Sequence, residues 1–109
     1  MNKIFLLTYW LHDIRKPYGD FYDEIRNSSI DSFHVFEDAW TLKVENTVTA
    51  HDLYKKLKPF MTDNDAMFIV DITSTDKNGW CPSSFWKWLK KDKTNNENTN
   101  RWVKSLNRW

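Results

Sequence analysis

The stretch FHVFEDAWTLKV, residues 33–44, decides the fold because it contains two strands separated by a tight turn. Its first half alternates in the manner of a strand, which predicts Ser32–Glu37 as extended, with His34 and Phe36 sharing one face. Its second half alternates apolar and polar residues, which predicts a strand over Ala39–Glu45 with one side facing solvent. The two strands are adjacent in the chain and therefore form a hairpin.

A helical pattern lies on either side of this hairpin, and a strongly apolar run lies beyond each helical pattern. Apolar residues recur at helical spacing before and after the hairpin, and Thr49 with Asp52 resembles a capping box at the start of the second helix. The elements predicted outside the hairpin are a strand, a helix, a helix and a strand, in chain order: Lys3–Leu11, Tyr18–Ser28, Ala50–Phe60 and Ala66–Ile72. This order predicts an α+β, ferredoxin-like βαββαβ fold, a four-stranded antiparallel sheet with both helices on one face.

The C-terminal part of the chain differs in composition from this domain. We expect the ferredoxin-like domain to span residues 1–91 and to include a short helical extension that opens at Pro82 or Ser83. DKTNNENTN, residues 92–100, is a polar linker by composition. RWVKSLNRW, residues 101–109, is a basic, aromatic tail.

Charge is distributed unevenly along the chain. The 109 residues carry a net charge of +1, but residues 87–109 hold seven basic and two acidic side chains, a net of +5. Residues 1–86 hold nine basic and thirteen acidic side chains, a net of −4. An acidic body with a basic C-terminal segment predicts a polyanionic partner, or a segment that docks on its own body.

Composition excludes several classes of protein. Cys81 is the single cysteine, so an internal disulfide or a site of several thiolates cannot form, and we expect a cytoplasmic protein. The longest apolar run, Ile4–Leu7, is too short to span a membrane. Only two glycines are present, so a glycine-rich phosphate loop is excluded. We expect no cofactor and no bound metal.

The order and spacing of these segments resemble the small CRISPR adaptation subunit (the Cas-two family) and its stand-alone SinR-like relatives. The matching pieces lie between residue 3 and about residue 90 and include FLLTY, YDEI, FHVFEDAWTLKV, LYKKLKPFMTDNDAMFIVDI and the later W and WL. The resemblance implies a ferredoxin-like homodimer whose subunits pair through sheet surfaces and C-terminal segments. It also implies binding of duplex DNA and, in some members, a metal-dependent nuclease with an aspartate directly after the tyrosine of the first strand. Trp10 occupies that position here, and the nearest carboxylate, Asp13, lies three residues later.

Basic residues interleaved with tryptophan in the C-terminal segment are the strongest functional feature. Basic side chains neutralise phosphates, and aromatic rings stack on exposed bases. We therefore predict that the contacts to nucleic acid or another polyanion are Lys87, Lys90, Lys91, Arg101, Lys104, Arg108, Trp88 and Trp102. We predict a homodimer interface that includes Trp80, Trp86 and Trp109. The alternative is that the tryptophans cover the sheet or the dimer seam while the lysines stay in water.

Other polar residues favour structural roles. His12 and Asp13 could join Asp63, Asp65 or Asp71 around a divalent ion, but turn and capping roles are the expectation for scattered carboxylates. No catalytic residue is predicted at His34 or His51, because no nucleophile is identifiable beside them.

Three functions remain open from the sequence. The first is a non-catalytic dimeric module that binds nucleic acid, a nucleotide or a nucleic-acid-handling protein. The second is a divalent-metal nuclease that uses displaced carboxylates, and the third is a small inhibitor or accessory protein from a mobile element.

Overall fold

The computed structural model describes residues 2–12 and 18–91 and contains every predicted element. In chain order the elements are β1 Asn2–Trp10, α1 Gly19–Asn27, β2 Asp31–Phe36, β3 Ala39–Glu45, α2 Ala50–Leu57, β4 Ala66–Asp71 and α3 Ser83–Lys90. A single 3₁₀ turn, Lys58–Phe60, follows α2 and contains Pro59, which cannot continue the helix ladder. The predicted bounds differ from these by one residue at several ends and by three at the end of α2, where the predicted helix Ala50–Phe60 included the 3₁₀ turn. The predicted segments 92–100 and 101–109 lie outside the described residues.

The four strands form one antiparallel sheet in the order β2-β3-β1-β4. β1 is a central strand, with Leu7 opposite Trp40 of β3 on one side and opposite Ile69 of β4 on the other. This order, with a helix between β1 and β2 and another between β3 and β4, confirms the ferredoxin-like α+β fold. The chain divides into two compact units between Thr75 and Asp76, so that the sheet lies in the first unit and α3 in the second.

Both α1 and α2 pack on the same face of the sheet. Phe21 and Ile25 of α1 and Leu53 and Leu57 of α2 are at most 1% exposed. They belong to one apolar cluster with six side chains of the central strands: Phe5, Leu7, Tyr9, Trp40, Leu42 and Val44. The prediction of two helices on one face is confirmed.

The start of α2 is fixed by the predicted capping box. The Asp52 N–H donates to Thr49 Oγ1 at 3.1 Å, and the Thr49 N–H donates to Asp52 Oδ2 at 2.9 Å. The hydrogen bond from the Thr49 backbone holds the pKa of Asp52 below its ordinary value. Aspartate thus replaces the usual glutamate of this motif without loss of either bond.

Two sequence predictions about the faces of the hairpin are wrong. A β-bulge between His34 and Phe36 makes Phe36 pair with Ala39, so Phe36 lies on the face opposite α1 and α2, whereas His34 lies on the helix side. The polar side of β3 does not face solvent, because Thr41 and Lys43 are 1% and 8% exposed. Their strand is flanked by β1 and β2, and the stem of a lysine is apolar enough to be buried.

Within residues 2–12 and 18–91, no helix combines the length and apolar content that a bilayer crossing requires.

We expect Leu57→Ala to lower the free energy of unfolding by roughly 2–5 kcal/mol, because it removes a fully buried side chain at the contact of α2 with the sheet. Tyr54→Ala on the same helix is the control, since Tyr54 is 42% exposed, and should change stability by about 0.5 kcal/mol or less. Urea unfolding followed by circular dichroism measures both. Equal losses would contradict the assignment of the buried face of α2.

Candidate functional site

The lysines of α3 lie on the side of the helix opposite its buried aromatic residues. Phe85 and Trp88 are buried and three residues apart, whereas Lys87 and Lys90, also three residues apart, lie on the other side, and Lys91 directly follows the last helical residue. Lys90 and Lys91 are exposed and Lys87 is half-buried. The structure therefore brings these three predicted contacts together as one cationic surface, which we call the lysine side of α3.

The predicted tryptophans occupy different environments. Trp88 is buried, with its ring nearly parallel to that of Phe85 at 6.5 Å between centroids, which favours the packing role over base stacking. Trp86 is half-buried with its ring 5.6 Å from Phe85, and Trp80 is 79% exposed. The other predicted contacts lie outside the described residues: Arg101, Trp102, Lys104, Arg108 and Trp109.

Trp10 ends β1 with its side chain 60% exposed, where the resemblance implies a nuclease aspartate. Its ring stands at 61° to the ring of His12, with the centroids 5.2 Å apart. Phe36 and Phe68 are also more than half exposed, and the register places both on the face opposite α1 and α2. Sequence reasoning noticed the tryptophan but missed the two phenylalanines, because alternation assigns side chains to a face of the sheet but does not reveal which of them stay exposed there.

Asp65 fixes the chain just beyond the end of β1. Its Oδ1 accepts from the His12 N–H at 2.8 Å and from the Tyr18 hydroxyl at 3.0 Å, and its Oδ2 accepts from the Thr62 N–H at 2.8 Å. Burial raises the pKa of Asp65, but these hydrogen bonds to the ionised carboxylate outweigh it and leave the pKa below the ordinary value of 3.8. Both oxygens of this candidate metal ligand are thus engaged in turn and capping roles.

Three other candidate acids and bases, His34, His51 and Asp71, also have local partners, and Asp13 lies outside the described residues. His34 stacks on Trp40 with the ring centroids 4.2 Å apart, and its Nε2 lies 3.1 Å from the Glu37 carbonyl oxygen. The His51 ring is nearly parallel to Tyr54, and Asp71 Oδ1 accepts from the Thr73 N–H at 2.9 Å. In the part of the chain that the structure describes, no three His, Cys, Asp or Glu side chains are grouped to hold a metal ion.

A cleft of about 610 Å³ opens beside the end of β1. Its lining combines aromatic rings with the two carboxyl residues of the hairpin turn: Tyr9, Trp10, Leu11, Tyr18, Tyr22, Phe36, Glu37 and Asp38. We call it the aromatic cleft. Sequence reasoning missed it, since its lining comes from β1, Leu11, Tyr18, α1 and the hairpin.

A hydrogen bond connects Tyr9, which lines the aromatic cleft, to the buried Trp40. Trp40 Nε1 donates to the Tyr9 hydroxyl at 2.9 Å, and that hydroxyl donates to the Glu37 carbonyl oxygen at 3.0 Å. Burial raises the pKa of Tyr9 far above its ordinary value of 10.0, so the phenol stays neutral at physiological pH. Tyr9 therefore acts here as a structural hydrogen-bond donor that keeps its proton.

Comparison with protein-family models, with curated proteins and with solved structures gave no match to this chain. The resemblance to the Cas-two family therefore stays a prediction. The fold assignment rests on strand order and register, and the site assignment on the side chains described above.

We expect Asp65→Asn to lower the free energy of unfolding by about 1 kcal/mol at neutral pH, because an amide can replace only part of the carboxylate's accepting capacity. Since the folded-state pKa lies below 3.8, the stabilisation is complete above that pH and is lost as the pH falls through the folded-state pKa. The deficit of the variant should therefore shrink in acid. Chemical unfolding at a series of pH values measures it.

Asp63→Asn is the control for this prediction, because Asp63 is an exposed carboxylate in the same turn. An identical pH dependence in the two variants would contradict the role assigned to Asp65.

Proposed function

We propose that this protein is a non-catalytic, homodimeric binding module that holds nucleic acid through the lysine side of α3. The observation that carries the proposal is that Lys87 and Lys90 lie on one side of a helix whose other side is buried, and that Lys91 directly follows the helix. Ammonium groups at this spacing neutralise neighbouring phosphates and release their counterions. The resemblance to a DNA-binding family points to the same class of ligand.

The charge distribution supports this choice of surface. Residues 1–86 carry a net charge of −4, so the sheet domain repels a polyanion, whereas residues 87–109 carry +5 and attract it. The lysine side of α3 is the part of that basic segment whose side chains the structure describes.

The proposal that the protein is non-catalytic rests on the residues found at the end of β1. Trp10 presents an exposed ring at the position where a nuclease of the resembled family has its aspartate. Asp65, a carboxylate held just beyond the end of β1, accepts three hydrogen bonds from protein groups. A divalent ion would have to replace those bonds.

We place the protein in the cytoplasm. Cys81, its single cysteine, is buried as a free thiol, and a fold stabilised without disulfides suits a reducing compartment.

We expect the triple variant Lys87→Glu, Lys90→Glu and Lys91→Glu to bind a short fluorescein-labelled DNA duplex about tenfold more weakly or worse. Removal of three phosphate contacts should also reduce the slope of log affinity against log salt concentration by roughly 3. Fluorescence anisotropy at several salt concentrations measures both quantities. The melting temperature should stay close to that of the parent protein, because the charged groups lie on the outer side of α3.

The matched control is Lys55→Glu, Lys56→Glu and Lys58→Glu, which makes the same change in net charge at three exposed lysines of the sheet domain. Equal weakening by both triple variants would contradict a specific surface on α3, as would failure of the parent protein to bind DNA at low salt. Magnesium-dependent cleavage that disappears in Asp13→Ala would establish the nuclease instead. Capture of a protein partner that survives nuclease treatment would favour the inhibitor.

The dimer gives a separate prediction. Phe68 on β4 is 65% exposed on the sheet face opposite α1 and α2, and the resemblance implies that subunits pair through sheet surfaces. Light scattering at tens of micromolar should report twice the 13.2 kDa monomer mass, and Phe68→Lys should shift the mass toward that of the monomer. Tyr54→Lys, on α2, is the control and should leave the dimer intact. A monomer at these concentrations would contradict the proposal.

A further inference from the structure

We infer that the aromatic cleft is a second binding site, which takes a small organic cation with an ammonium or guanidinium head. This site is separate from the lysine side of α3 and does not depend on the function proposed for it. Three features of the cleft carry the inference: its aromatic walls, the two carboxylates on its rim and its size.

Five aromatic side chains contribute to the walls, and two of their hydroxyls are already engaged. The Tyr9 hydroxyl donates to the Glu37 carbonyl oxygen, and the Tyr18 hydroxyl donates to Asp65 at 3.0 Å. What these tyrosines offer to a ligand is therefore the ring. The electron-rich face of an aromatic ring attracts a cation within about 6 Å of its centre, and several rings around one pocket form the usual cage for a quaternary ammonium group.

The aromatic cluster behind the cleft already holds one cation. The guanidinium carbon of Arg26 lies 5.3 Å from the centre of the Trp40 ring. Tyr22, which lines the cleft, has its ring 6.0 Å from that same tryptophan and 6.3 Å from Tyr9. The chain itself thus shows a ring of this cluster accepting a cation.

The hairpin turn holds two carboxylates at the rim of the cleft. Its backbone is fixed by hydrogen bonds to its carbonyl oxygens: the Asp38 oxygen accepts from the Tyr9 N–H at 3.0 Å and from the Thr8 hydroxyl at 3.1 Å. The side chains of Glu37 and Asp38 are exposed, and among the described residues neither carboxylate forms a hydrogen bond or an ion pair. A rigid turn with two uncommitted negative charges favours a cationic ligand over a phosphate.

The size of the cleft suits a small molecule or a single side chain. About 610 Å³ falls within the range of roughly 300–1,000 Å³ typical of small-molecule sites. The same cationic head can come from a free metabolite of the choline type or from an arginine side chain of a protein.

The test is a titration of the full chain with choline and with acetyl-arginine amide. The Trp indole N–H resonances in two-dimensional NMR are the readout. The Trp10 resonance is assigned by its loss in Trp10→Phe. We expect a saturable shift of that resonance with at least one of the two cations, and the tighter of the two identifies the source of the head group. Dimethylbutanol, which replaces the quaternary nitrogen of choline by carbon, should bind about tenfold more weakly.

Variants separate the cleft from the rest of the surface. Tyr22→Leu and the double variant Glu37→Gln with Asp38→Asn should each weaken cation binding about tenfold. The matched controls are Tyr54→Leu for loss of an exposed ring on α2, and Glu45→Gln with Asp76→Asn for loss of two exposed carboxylates. Both controls should bind like the parent protein.

Three results would overturn the inference. These are the absence of a saturable shift with either cation, equal affinity for dimethylbutanol, and equal weakening by the control variants. The triple charge reversal on α3 should not change cation binding. The site proposed here and the nucleic-acid surface can therefore fail independently.

Discussion

The hydrogen-bond chain from Trp40 Nε1 through the Tyr9 hydroxyl to the Glu37 carbonyl oxygen connects the core of this protein to its surface. Both aromatic residues are buried, so the hydroxyl has to find partners inside the protein or leave a polar group unsatisfied. It uses the tryptophan as donor and the hairpin turn as acceptor. In this way the packing of two central strands determines where the turn, and with it the rim of the aromatic cleft, is placed.

Much of the fold could be predicted from sequence because its signals are local. Apolar residues at helical spacing predicted α1 and α2, continuous apolar runs predicted β1 and β4, and Thr49 with Asp52 predicted a cap that both hydrogen bonds confirm. The bulge in β2 was not predictable by the same reasoning. Side chains of a strand alternate between its two faces, so one extra residue moves the following side chain to the other face. The bulge moves Phe36 in this way, and the alternation in the sequence does not show it. The burial of Lys43 was missed because polarity was taken as exposure, although an aliphatic stem can be buried.

The two candidate surfaces differ in how far the sequence reveals them. Charge accumulates along the chain, so the basic segment that contains Lys87, Lys90 and Lys91 is visible by counting, and helical spacing then places Lys87 and Lys90 on one side. The aromatic cleft is assembled from residues between 9 and 38 on several elements. Only the register of β1 with β3, and the packing of α1 on that pair, brings Trp10, Tyr22 and Glu37 to one opening.

The net charge is only +1, but the chain carries two proposed surfaces of opposite sign. A polyanion is repelled by Glu37 and Asp38 at the aromatic cleft and attracted by the lysines of α3, and an organic cation experiences the reverse. The charge of each surface therefore disfavours the ligand proposed for the other surface, and this selectivity needs no additional residue. If both proposals hold, the two ligands do not compete for one site. Any influence of one on the other has to pass through the protein as a coupling between sites, because the ligands share no contact residue.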